Sequence, residues 1–82
     1  MTITFSKPQN LQALYTRAKK DAEKRGITWT GDMQQGYGAG FGFEGSYAVG
    51  VDIITLTIRK KPPLITKARI IRAIEKYVNQ VS

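Results

Sequence analysis

The stretch that decides the fold is Gly50-Val51-Asp52-Ile53-Ile54-Thr55-Leu56-Thr57-Ile58-Arg59-Lys60-Lys61-Pro62-Pro63. Ile54, Leu56 and Ile58 alternate with Thr55, Thr57 and Arg59, so an extended chain sends aliphatic side chains to one side and polar ones to the other. Such a strand has one face packed and one face open, which is the habit of antiparallel sheets. Gly50-Val51-Asp52 before it reads as a turn, because the parity of the apolar residues shifts across it. Pro62-Pro63 stops it, since proline has no donor for the ladder.

Working outward, residues 39–49 read as a strand with Phe41, Phe43, Tyr47 and Val49 on one face. Gly40, Gly42, Glu44, Ser46 and Ala48 lie on the other. Ile27-Thr28-Trp29-Thr30 alternates strictly, and a loop from Gly31 to Gly36 follows it. Ile3 and Phe5 between threonines signal a short edge strand. Two helices complete the order. The first carries Leu11, Leu14, Tyr15, Ala18 and Ala22 on one face, with Ser6-Lys7-Pro8-Gln9 as a capping box and Gly26 as its C′ residue. The second starts at Thr66 as N-cap and gathers Ile70, Ile71, Ile74, Tyr77, Val78 and Val81 into one stripe. The expected fold is α+β, a two-layer sandwich of order β-α-β-β-β-α over residues 1–82, with both helices on the apolar face of an antiparallel sheet.

Eighty-two residues make one small domain. Thirteen Lys and Arg against six Asp and Glu leave a net charge of +7, and the excess is unevenly placed. No Lys or Arg occurs from Gly26 to Ile58, whereas residues 17–25 carry five and residues 59–76 carry seven. Arg17, Lys20 and Lys24 recur at i, i+3, i+7, as do Arg69, Arg72 and Lys76. Each trio stands roughly opposite its helix's apolar face. Side by side, the two stripes join with Lys60, Lys61 and Lys67 into one positive surface for an anionic partner: nucleic acid, or an acidic protein or granule surface. The plainer alternative is an ordinary solvated helix face.

The chain has no Cys and no His. That removes disulfides, Cys/His zinc sites and nucleophile–histidine dyads. Asp32, Glu44 and Asp52 are the carboxylates left for acid–base work. Asp32 and Asp52 sit beside turn positions, where Asp is favoured for its local hydrogen bonds. No catalytic residue, cofactor or metal is expected. Gly40-Phe-Gly42-Phe-Glu-Gly45 satisfies G-x-G-x-x-G, but no helical pattern follows to supply a phosphate with amide dipoles. The glycines read better as a strand face bared for close packing. Trp29 and the four tyrosines are expected in the core, with a ligand pocket between helices and sheet as the alternative. The Thr/Gly/Ser face of the sheet is uncovered, and reads either as plain surface or as the place where two copies would stack. Neither a signal peptide nor a membrane-spanning run is read, so a cytoplasmic protein is expected.

Two resemblances bear on function. The order of elements, with Lys60-Lys61 ahead of a basic helix and Pro8-x-x-Leu11 at the first helix, resembles double-stranded RNA-binding domains at the level of topology. Pro62-Pro63 here interrupts the basic run with which that family meets phosphates. The run Phe43-Glu-Gly45-Ser-Tyr47, then Gly50-Val-Asp52-Ile and Thr57-Ile58-Arg-Lys60-Lys61-Pro62, ending in an Ile-rich helix, is similar in layout to the small bacterial polyhydroxyalkanoate granule-region proteins. That resemblance covers roughly residues 10–80. It implies an accessory binding role through the sheet face or a groove, with no nucleic-acid role and no catalytic residues.

Overall fold

The computed structural model describes residues 1–81, and side chains for residues 1–80. The chain runs β1 (Thr2–Ser6), α1 (Leu11–Lys24), β2 (Thr28–Gly31), β3 (Gln35–Gly40), β4 (Phe43–Val49), β5 (Ile53–Lys60) and α2 (Lys67–Val81). The strands form one antiparallel sheet in the order β1-β5-β4-β3-β2. From β2 to β5 it is a meander of tight turns. β1 then pairs on the far side of β5, so α1 carries the chain from one edge of the sheet to the other.

The expected α+β sandwich is therefore present, with one strand more than the β-α-β-β-β-α order allowed. What reads as a loop and one long strand is a hairpin, β3 and β4, turning at Phe41 and Gly42. Both turn residues have positive φ, 54° and 82°, the geometry of a two-residue hairpin turn. Phe41 thus leaves the core position that alternation assigned it and stands 68% exposed at the tip. The turn also changes parity: Gly40 pairs with Phe43 and joins it on the apolar face. β3 escapes a hydrophobic reading because Gly36, Gly38 and Gly40 occupy every inward position.

Register sets the two faces. One row runs Ile3, Leu56, Tyr47, Gly36, Gly31, and the next runs Ile58, Gly45, Gly38, Trp29. These point toward the helices. The opposite face carries Thr2, Thr57, Ser46, Tyr37 and Thr30 in one row and Thr4, Thr55, Ala48 and Gln35 in another. Tyr37 therefore belongs to the polar face and leaves the aromatic core expected of all four tyrosines. A bulge between Glu44 and Gly45 sets Lys60 opposite Glu44 and leaves Arg59 as the extra residue.

The helix ends show which local signals held. The Ser6–Gln9 capping box is not used. Asn10 is the N-cap of α1, and its side chain accepts from the Ala13 amide at 3.2 Å. Pro8 lies before the cap, outside the helix, since α1 begins only at Leu11. Gly26 follows the C-cap Arg25 with φ 72°, as a C′ glycine should. Thr66 caps α2, its hydroxyl accepting from the Arg69 amide at 3.3 Å. The side chain of Val81, assigned to the apolar stripe, lies outside the described residues.

The core between the layers is thin. Ile3, Leu14, Ala22, Ile54 and Ile58 are its buried residues, and no described side chain falls below 2% exposure. Among the described residues no helix is long and apolar enough to cross a membrane.

Candidate functional site

Both helices lie over the same face of the sheet. Leu11, Leu14, Tyr15 and Ala18 of α1 face a common apolar space with Ala73, Ile74, Tyr77 and Val78 of α2 and with Leu56 and Val49 of the sheet. A polar contact ties helix to helix: the Tyr77 hydroxyl donates to Asp21 Oδ2 at 2.6 Å. Asp21 also meets Arg17, whose Nε stands 3.8 Å from the same oxygen, one turn back along α1. The Tyr77 bond holds the Asp21 carboxyl below its usual range, with Arg17, Lys24 and Arg25 adding to the effect. Burial, then the bond to Asp21, pushes the Tyr77 phenol up to about 12.

That contact joins the two helices that carry the basic stripes. Arg17 and Lys20 border a shallow depression on the outward side of α1 with Asn10, Gln12, Ala13 and Thr16. Lys24 is exposed one turn further on. Lys67, Arg69, Arg72 and Lys76 are exposed on α2, away from the inward stripe of Ile70, Ile74 and Tyr77. Lys60 and Lys61 stand apart from these stripes. Lys60 ends β5 opposite Glu44 on the sheet, and Lys61 is half-buried just after it, before the turn closed by the Ile65 amide on the Pro62 carbonyl at 3.1 Å. Of the nine residues assigned to an anionic partner, seven are helix residues on one layer and two belong to the strand end that feeds α2.

The carboxylates are scattered. Asp32 closes the β2–β3 turn, its Oδ1 accepting from the amides of Gln34 at 2.8 Å and Gln35 at 3.0 Å. Those bonds hold its carboxyl below the usual range. Glu44 serves Tyr37, whose phenol is raised chiefly by a hydrogen bond to that carboxylate. Asp52 sits exposed in the β4–β5 turn, where its carbonyl accepts from the Lys7 amide at 2.8 Å. Among the described residues no three carboxylates gather as a metal site.

Beneath the helices is an aromatic cluster that alternation alone does not assemble. Tyr15, Trp29 and Tyr47 meet edge to face, with ring centroids 5.7 and 5.8 Å apart. Trp29 Nε1 donates to the Tyr47 hydroxyl at 3.2 Å, and that hydroxyl donates onward to the Asp32 carbonyl. Burial raises the Tyr47 phenol above its ordinary value. The sequence signal for this cluster was present in Gly36, which leaves the sheet bare where the Tyr47 ring lies.

Compared with protein families, curated proteins and solved structures, the chain finds no match in any of the three. The functional reading therefore rests on its own residues.

Proposed function

We propose that this chain is a non-enzymatic binding protein that contacts an anionic partner through the outward faces of α1 and α2. The observation that carries this reading is the Tyr77–Asp21 bond, which couples the two helices that bear the exposed basic stripes. In this reading Arg17, Lys20 and Lys24 on one helix and Lys67, Arg69, Arg72 and Lys76 on the other meet phosphate or carboxylate groups. Lys60 and Lys61, at the end of β5 with Lys60 beside Glu44, stand apart from this surface and are left out of it. Contacts of this kind position a partner and carry no base readout. Nucleic acid is the partner we favour, because its phosphates recur at close spacing and reward several cations at once.

Fluorescence anisotropy of labelled duplex RNA, duplex DNA and single strands, at several salt concentrations, tests it. Log affinity should fall linearly with log salt, by about 0.9 per phosphate contacted on a duplex. The paired reversals Lys20→Glu with Lys24→Glu, and Arg69→Glu with Arg72→Glu, should each flatten that slope. Absence of binding at low salt, where electrostatic attraction is strongest, would sink the nucleic-acid assignment.

A further inference from the structure

The sheet and the helix layer touch without closing. Between them lies a cavity of about 370 Å³, within the usual size of small-molecule sites, walled by Leu14 and Tyr15 of α1, Trp29, Tyr47 and Leu56 of the sheet, and Ile74 of α2. A second space of about 340 Å³ lies over Gly38 and Gly45. Trp29, Tyr47, Leu56 and Ile74 line both, so the two adjoin along one wall. Residues that a closed core would bury completely, among them Leu56, Val49 and Ile74, are half-buried instead. Protein interiors are normally close-packed, with few voids larger than a water.

Water fits this space poorly. A water needs two to four polar partners. The lining offers almost none, because its phenols are already engaged. The Tyr47 hydroxyl is bonded to Trp29 and Asp32, and that of Tyr77 to Asp21. An added helix does not fit either. A helix with its side chains is about 10–12 Å across, and the layers already meet where Tyr15 of α1 stands edge-on to Trp29 of β2 at 5.7 Å. What matches is a slender apolar chain.

The rim indicates the head group. No charged residue lines the larger cavity; the smaller one has Glu44 in its lining, a carboxylate that serves the Tyr37 phenol. Lys19 Nζ stands 5.8 Å from the centroid of the Tyr15 ring, so this cation adjoins a lining residue. Asp21 and Arg17 lie on the opposite flank of α1 from Lys19, where the Asp21 carboxylate is engaged by Tyr77 and Arg17. We infer that the cleft between the helix layer and the sheet is a binding site for a single-chain amphiphile with an anionic head, its chain between Trp29, Tyr47, Leu56 and Ile74 and its head toward Lys19. This site is separate from the outward basic surface and does not depend on the nucleic-acid reading.

Trp29 is the one tryptophan of the chain and lines both spaces, so it reports occupancy directly. The full chain is titrated with laurate below its micelle concentration while Trp29 emission is followed, with dodecyltrimethylammonium as the cationic control. The expected result is a saturable change at one laurate per chain, with the cationic chain at least about tenfold weaker. Two filling variants complete the test. A Cβ added at Gly38 would meet only the Thr28 carbonyl oxygen at 3.5 Å, so Gly38→Leu grows into the smaller space. Ala18→Leu grows into the larger one. Each should raise the melting temperature and weaken laurate binding about tenfold or more, as filling a functional void trades binding for stability. Gly38→Ala is the conservative fallback, expected to fold as the parent does and to bind with a smaller loss. Trp29 emission unchanged by laurate, or filled variants that bind as tightly as the parent, would overturn the site. Equal affinity for the cationic chain would overturn the head-group assignment.

Discussion

Tyr77 and Asp21 are two side chains that join elements far apart in sequence, and their chemistry makes the junction sensitive to pH. Asp21 has its carboxyl held below the ordinary value by the Tyr77 bond. A carboxyl depressed in the folded state contributes stability that is present above its unfolded pKa and is lost as pH falls through the folded value. Tyr77 works in the other direction. Its phenol is pushed up to about 12, so its contribution is fully present below the ordinary tyrosine value near 10 and is lost as pH rises toward 12. Urea unfolding followed by Trp29 fluorescence should therefore show a plateau around neutrality, with stability falling at both ends. Tyr77→Phe removes the hydroxyl and should flatten the contribution of this pair on both limbs. A variant with the parent's full pH dependence would show that the bond does not hold in solution. A neighbouring network offers a second residue-scale expectation. Tyr47→Phe leaves the part-buried Trp29 indole N–H short of a partner and gives the exposed Asp32 carbonyl to water, at a cost of about 1 kcal/mol by the same denaturation measurement.

At the scale of the element, β3 is the informative case. Its inward residues are glycines, yet they are not interchangeable. A Cβ at Gly36 would fall 2.5 Å from the Tyr47 ring, which its bonds to Trp29 and Asp32 hold in place. A Cβ at Gly38 meets ordinary contact distance and open space. Gly36→Ala should then destabilise the fold by about 1–3 kcal/mol, as overpacking does. Gly38→Ala should be neutral or stabilising, since alanine restricts the unfolded chain. Thermal melts of the two variants side by side check this, and equal effects would contradict the placement of the Tyr47 ring. The β3–β4 turn makes a related point. Phe41 holds φ 54°, a conformation costly for a bulky residue, while its side chain is mostly exposed and gains little from burial. Phe41→Asn should raise the melting temperature, because Asn-Gly suits a turn with both central residues at positive φ.

For the whole molecule, charge and packing pull against each other. A net charge of +7 on 82 residues opposes compaction, and among the described residues Arg17–Asp21 is the one ion pair within 4 Å. The core that resists this repulsion is open beneath α2. Screening shortens the reach of charge to about 8 Å at physiological ionic strength. Raising salt from about 10 mM into that range should therefore raise the melting temperature of the parent. The effect should shrink in a variant with Arg69 and Arg72 both replaced by glutamine. A melting temperature independent of salt would mean that the cations lie too far apart to repel, and would count against a continuous positive surface as well.

Much of this was legible in the residues themselves. The Ile54–Ile58 alternation, the apolar stripes of both helices, the Thr66 cap, the Gly26 stop and the uneven distribution of charge are local patterns. They follow from periods of 2 and 3.6 and from which side chains carry charge, so no long-range contact is needed to see them. Tertiary structure decided the rest. A strand whose inward positions are glycine has no hydrophobic signature, so β3 exists only through its pairing with β2 and β4. The place of the hairpin turn, the exposure of Phe41 and the outward position of Tyr37 follow from that pairing. The Tyr77–Asp21 bond spans 56 positions, and the cleft between the layers is a property of how two faces meet. Periodicity states which face of an element is apolar. How closely two such faces approach depends on the volumes that fill the space between them, and those volumes come from residues distant in the chain.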